Sequence, residues 1–120
     1  MIADGAGLSQ ITAAMYENDN KLNLENFKVV GFQKTHSANS LITDSAASGT
    51  AMACGIKTEN GTIGIDTKNK SVESILKICE KKGYNSGIIV TSSIVHATPA
   101  SFYAKVISKG KLSRNSISIE

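Results

Sequence analysis

Asp44 and Ser45 stand side by side in the run Thr43-Asp44-Ser45-Ala46-Ala47-Ser48-Gly49-Thr50-Ala51, where almost nothing is larger than threonine. A hydroxyl next to an acid, at the head of a run of small residues, is an arrangement for nucleophilic attack. Ala46 to Cys54 has the composition of a buried helix whose backbone a ligand can approach closely. A serine at the mouth of such a helix sits where unpaired N–H groups and the helix dipole favour an anion. That position suits a nucleophile that must attack, and then carry, a phosphoryl group. The same Asp-Ser pair also reads as an ordinary N-cap.

Three further segments carry recognisable spacing. Met1-Ile2-Ala3-Asp4-Gly5-Ala6-Gly7 sets an acid behind an apolar stub, as where a strand ends and turns into a helix. Ligand sites of α/β sheets gather at such strand ends. Asp4 could equally cap the helix that begins near Leu8. Thr58-Glu59-Asn60-Gly61-Thr62-Ile63-Gly64-Ile65-Asp66 contains an Asn-Gly pair that predicts a tight turn. In Val90-Thr91-Ser92-Ser93-Ile94-Val95-His96-Ala97-Thr98-Pro99-Ala100, Pro99 fits the first turn of a helix with Thr98 as its cap.

These four segments, in this order, resemble the alkaline phosphatase family. The run around Ser45 is similar to its nucleophile signature, and Asp4-Gly5-Ala6-Gly7 to its D-G-M-G turn. Gly55-Ile56-Lys57 and the Asn-Gly turn are similar to its G-V-K-T-x-N-G-x-I-G-V-D run, and His96-Ala97-Thr98-Pro99 to its H/D-A-T-P motif. The resemblance implies a site with two zinc ions and one magnesium. In it Ser45 attacks the phosphorus of a phosphate monoester and becomes a phosphoserine. Asp4 would be a metal ligand bridging zinc and magnesium, since carboxylate oxygens suit hard cations. Thr98 would bind the magnesium, and His96 would stand beside it as a softer, more zinc-tolerant donor. Asp44 would orient a neighbouring cation. The family places an arginine where this chain has Lys109 as phosphate clamp, so a point charge replaces a planar fork. Arg114 lies a few residues further on.

The elements that must position these groups follow from order and period. A helix is expected near Leu8 to Tyr16, a strand from Phe27 to Gln33, and the nucleophile helix next. Ser71 to Lys82 is an amphipathic helix with Val72, Ile75, Leu76 and Cys79 on its apolar face, stopped by Gly83. Ser86 to Thr91 reads as a buried strand and Pro99 to about Ser108 as the last helix. Alternating helices and strands imply an α/β fold, part of a doubly wound, mostly parallel sheet flanked by helices and truncated at both ends.

Composition bounds the rest. A chain of 120 residues is enough for one small domain. The resemblance makes 1–120 the amino-terminal portion of a single catalytic domain, a fragment lacking the family's downstream metal ligands. Its histidines are His36 and His96, and no Cys-x-x-Cys pair occurs. The net charge of +3 comes largely from interspersed lysines, a solvated surface rather than a nucleic-acid patch. No run approaches the length of a membrane span. Cys54 and Cys79 read as free thiols on apolar faces, although a secreted protein could pair them. By resemblance the intact protein would be periplasmic or extracellular and could form a homodimer. No signal peptide is seen in the sequence. The alternatives are a related metal-dependent phosphodiesterase or sulfatase, and a truncated product without turnover.

Overall fold

The computed structural model describes residues 1–106 together with the backbone of Ser118–Ile119. It divides into two compact units, Met1–Lys34 and Thr35–Glu120.

In the first unit, Ala6 N–H closes a turn onto Ala3 O at 3.2 Å, with Asp4 and Gly5 at its centre. Helix α1, Leu8–Glu17, follows as expected and runs one residue past Tyr16. Its N-cap is Gly7, whose N–H donates to Gln10 Oε1 at 2.9 Å, so Asp4 does not cap it. No α1 residue is buried. The chain leaves α1 through Asp19 and Asn20, both at positive φ, and makes one 3-10 turn at Asn23–Asn26. The expected strand Phe27 to Gln33 is not formed among the described residues. Phe27, Val29, Val30 and Phe32 stay exposed, Phe32 fully so. Their types favour a pleated, half-buried surface, but a strand exists only where a neighbour takes its backbone bonds.

The second unit is built around helix α2, Ser45–Cys54. Asp44 caps its first turn, and the Gly55 N–H bonds back to Ala51 O at 3.0 Å. Ala46, Ala47, Gly49, Thr50 and Ala53 are buried, as the small-residue composition implied. Helix α4, Ala97–Ala100, packs on α2 at Gly49, where an added Cβ would stand 2.6 Å from Ser101 Oγ and 3.5 Å from Thr98 Cα. The loop after α2 returns alongside: Ile63 and Val106 exchange both backbone bonds, at 2.9 and 2.8 Å. Gly64 then approaches Ala104 O so closely, at φ +63°, that a Cβ would sit 2.7 Å from it. Ala46, Ile63, Ala100, Ala104 and Val106 form the core, covered by Ala97 and Tyr103. Further along, Asp66 accepts from the N–H groups of Lys68 and Lys70, each at 2.8 Å. The Lys70 bond foremost holds its carboxyl below the ordinary value of 3.8.

Helix α3, Ile75–Lys81, starts later than the sequence suggests. Ser71 is taken by a bridge to Ile65, and Ser74 is the N-cap, accepting from Lys77 N–H at 3.3 Å while donating to Phe102 O. Leu76 and Cys79 are half-buried, but Ile75 lies exposed rather than on the inner face. Two other expectations are corrected. Ser86 to Thr91 forms no strand among the described residues, and Ile89 is fully exposed. The helix from Pro99 does not continue toward Ser108: it ends at Ala100, because Phe102 and Tyr103 donate in tight turns to Pro99 O and Ala100 O. Strand β1, Ala104–Lys105, follows and pairs antiparallel with β2, Ser118–Ile119, the one sheet among the described residues.

Replacing Gly49 by alanine should lower stability by about 1–3 kcal/mol, the usual range for overpacking a closed contact. Urea unfolding measures it. Adding Ser101→Gly removes the opposing side chain and should recover part of the loss. A double variant no more stable than G49A would refute the helix contact as the cause.

Candidate active site

The head of α2 is fixed by one carboxylate. Asp44 Oδ1 accepts from Ala47 N–H at 2.8 Å, and Asp44 Oδ2 accepts from Gly61 N–H at 2.6 Å. The Asp44 carbonyl takes both the N–H and the hydroxyl of Ser48, at 3.0 and 2.8 Å. Both carboxylate oxygens therefore hold backbone, one in the helix and one in the Asn-Gly turn. Asp44 is in extended conformation (φ −112°, ψ 175°) and half-buried, as an N-cap should be. Ser45 is the first residue of α2, half-buried, with its backbone immediately beyond this anchor.

The turn opposite is just as constrained. Asn60 Oδ1 accepts from Asp44 N–H at 3.3 Å, and Asn60 Nδ2 donates to Ile42 O at 2.9 Å. Asn60 N–H in turn donates to Asn39 Oδ1 at 3.1 Å, and the buried Ser37 hydroxyl donates to the same Asn39 oxygen at 3.1 Å. Thr50, fully buried in α2, donates its hydroxyl to Thr62 O at 3.3 Å and accepts from Gly64 N–H at 3.1 Å. Two layers of polar bonds thus lock α2 to the 60–64 loop. The sequence reading assigned Asn60 and Gly61 a turn only; nothing in an Asn-Gly pair announces that its amide will grip a distant backbone.

Thr98 and His96 sit on the second wall. The packing of α4 on Gly49 brings Thr98, half-buried, against the first turns of α2. The expectation that Thr98 caps this helix is corrected: the N-cap is His96, and Thr98 lies inside the first turn just before buried Pro99. His96 is exposed and contributes its carbonyl, which accepts from Ala100 N–H at 3.0 Å. Ser101 ties the two helices together, its single hydroxyl hydrogen shared between Ala97 O at 2.8 Å and Ala46 O at 3.5 Å. Ser45 and Thr98 are thereby drawn onto adjoining helices of one unit. Asp4 belongs to the other unit, exposed in its turn. Lys109 and Arg114 lie outside the described residues.

A metal needs more donors than these elements gather. Among the described residues no three of His, Cys, Asp and Glu converge, whereas a zinc site takes three or four protein ligands. The described residues alone therefore do not fit the zinc pair. Oxygen donors such as the Thr98 hydroxyl are of the type that magnesium prefers. Cys54 and Cys79 are free and half-buried. Burial pushes the Cys54 thiol above its ordinary value, against the pull of Lys105, as expected of a packing thiol rather than a nucleophile. No helix among the described residues is long and apolar enough to cross a membrane.

Comparison with known proteins adds independent findings. The family described as alkaline phosphatase matches residues 1–120. The repressible alkaline phosphatase of Saccharomyces cerevisiae is 37% identical over 112 residues, covering 88% of this chain and 20% of its own length. Alkaline phosphatase 4 of Bacillus subtilis is 40% identical over 113 residues, covering 87% of this chain and 24% of its own length. The structure of alkaline phosphatase from the Antarctic bacterium TAB5 superposes with a TM-score of 0.84 at 47% identity, over 88% of this chain and 31% of that one. A His-to-Asp mutant of the TAB5 enzyme, with Mg bound in its M3 site, gives a TM-score of 0.84 at 46% identity over 88% of this chain and 30% of that one. The chain thus spans between a fifth and a quarter of the curated relatives cited.

The two-sided role of Asp44 can be separated by substitution. Asp44→Ala removes the cap and leaves Gly61 N–H without its acceptor, and should cost about 2–4 kcal/mol from a lost cap plus an unsatisfied donor. Asp44→Asn keeps one acceptor oxygen and should fall between that variant and the native chain. Urea midpoints decide the order, and D44N indistinguishable from native would show that one of the two bonds contributes nothing.

Proposed function

Since the chain belongs to the alkaline phosphatase family, we propose that it supplies the nucleophile and part of the metal-binding wall of a phosphate monoesterase. The observation that carries this is Ser45 at the first position of α2, anchored by Asp44 and faced by the Thr98 helix. The N-terminus of a ten-residue helix favours the negative charge that arrives with a phosphoryl group. Ser45 Oγ gives up its proton to solvent and attacks phosphorus in line with the leaving group. The Oγ–P bond forms as the bond to the alcohol oxygen breaks, and that oxygen takes the electron pair and then a proton from water. Water cleaves the resulting phosphoserine to inorganic phosphate and returns the hydroxyl.

The remaining residues bind and orient. Lys109 holds the non-bridging oxygens of the phosphoryl group as a point charge. Asp44, beyond its backbone bonds, has lone pairs left to orient that cation. Thr98 and His96 on their helix, and Asp4 within its own unit, are each proposed as magnesium donors by resemblance to the family. When bound, the metals of this family supply Lewis-acid stabilisation of charge on the attacking and leaving oxygens. Zinc ligands would come from residues other than those described. Magnesium is bound in the M3 site of TAB5 mutants whose histidine has been replaced by Asp or Glu, which supports magnesium as an ion of this family's site. The strand reading of 27–33 and that of 86–91, a homodimer and a location outside the cytoplasm are proposals that rest on the family resemblance alone.

Three measurements test this reading. The 120-residue chain alone, supplied with zinc and magnesium, should not hydrolyse p-nitrophenyl phosphate above the metal-only rate; turnover abolished by Ser45→Ala would contradict that. Grafted in place of the matching part of a full-length alkaline phosphatase, the native chain should restore turnover and its Ser45→Ala variant should not. In that enzyme Lys109→Arg replaces one charged hydrogen bond by two. Such bonds contribute roughly 1.5–3 kcal/mol, less where solvent reaches them, so inorganic phosphate should inhibit about tenfold more tightly. Unchanged inhibition in K109R, with weakened inhibition in Arg114→Ala, would move the clamp to Arg114.

A further inference from the structure

We propose that Asn60 is a positioning residue for Ser45, setting the attack geometry from the opposite side of the loop; the inference rests on the reading of Ser45 as nucleophile. The amide of Asn60 takes the carbonyl of Ile42 and the N–H of Asp44 together. A planar group that pairs with the carbonyl of one residue and the N–H of the next but one fixes the conformation of the residue between them, here Thr43. The direction in which the chain enters α2 is set at that point. Asp44 then returns the contact through Oδ2 to Gly61 N–H, the residue next to Asn60. The two exchanges close a ring of bonds around residues 42–44 and 60–61, and Asn39 Oδ1 steadies it from behind through Asn60 N–H. Ser45 is the first residue outside this ring.

Helix termini fray, and a nucleophile at the first position of a helix would share that motion. The ring removes it without placing any side chain of its own on the substrate. It also explains why both Asp44 oxygens are bound to backbone: the acid fixes the position of Ser45 relative to the 60–61 turn as well as to α2. Attack requires the reacting oxygen to be held within a few tenths of an ångström, and a misplacement of 1 Å can cost about a hundredfold in rate.

The test uses the grafted full-length enzyme, with phosphorylation of Ser45 followed in a single turnover and expressed per titrated active site. Asn60→Ala should phosphorylate about ten- to a hundredfold more slowly, while inhibition by inorganic phosphate stays within about twofold, because the phosphate-binding groups are untouched. A purely structural role would reduce the number of active sites and leave the rate per site unchanged. Asn60→Asp keeps the shape and the acceptor but loses the donor to Ile42 O, and should be slowed as well; it decides the matter if N60A fails to fold. In the 120-residue chain, amide exchange at Asp44, Ala47 and Gly61 should accelerate in N60D while that at Ile63 and Val106 does not. Native phosphorylation rates per site in both variants, with S45A inert, overturn the role of Asn60 alone. An S45A enzyme that still becomes phosphorylated at the active site overturns the nucleophile assignment instead.

Discussion

The Asp44 carboxylate is the interaction on which the second unit turns. It joins the first turn of α2 to a loop seventeen residues away in sequence, with a backbone N–H on each oxygen. A charged acceptor makes such bonds shorter and stronger than neutral ones. Because Gly61 is held, the following residues enter in register: Thr62 and Gly64 meet the Thr50 hydroxyl, and Ile63 meets Val106. The core closes behind that register.

What closes it is small. Alanines and a glycine supply most of the α2 surface against α4, so little apolar area is buried per residue and the fit must be close to matter. The polar bonds of Ser101, Thr50 and Ser74 do much of the joining that large side chains do elsewhere. Bulkier apolar residues lie mostly outside this core. Phe27, Val29, Val30, Phe32 and Ile89 present themselves to solvent on backbone without a ladder among the described residues. Sheet pairing would satisfy that backbone and cover those side chains at once.

Holding is divided between neighbours around Ser45. Asp44 and Asn60 bind backbone, Gly49 admits the second helix, and Ser45 is carried to the helix mouth by all three. Lys81 pairs with Glu73 on the surface, both side chains about half-exposed, a contact of the kind that contributes little.

The sequence alone determined what is local. Asp44 as N-cap, the small-residue helix to Cys54, the turn at Asn60-Gly61 and the helix from Leu8 follow from side chains acting within a few residues, and the order of the motifs identified the family. Local physics did not suffice where an element depends on a partner. Phe27–Gln33 and Ser86–Thr91 have strand composition, yet strand structure is a property of two chains. The Pro99 helix has nothing in its composition to stop it at Ala100; the register of Ile63 with Val106 draws the chain out into β1. Ser71 and Ser74 divide roles between bridge and cap for the same reason. The grip of Asn60 on Ile42 and Asp44, and the contact of Gly49 with Ser101, join residues far apart in the chain. Only the tertiary structure decided them, because a hydrogen bond or a close approach between distant residues exists only once the backbone has brought both ends together.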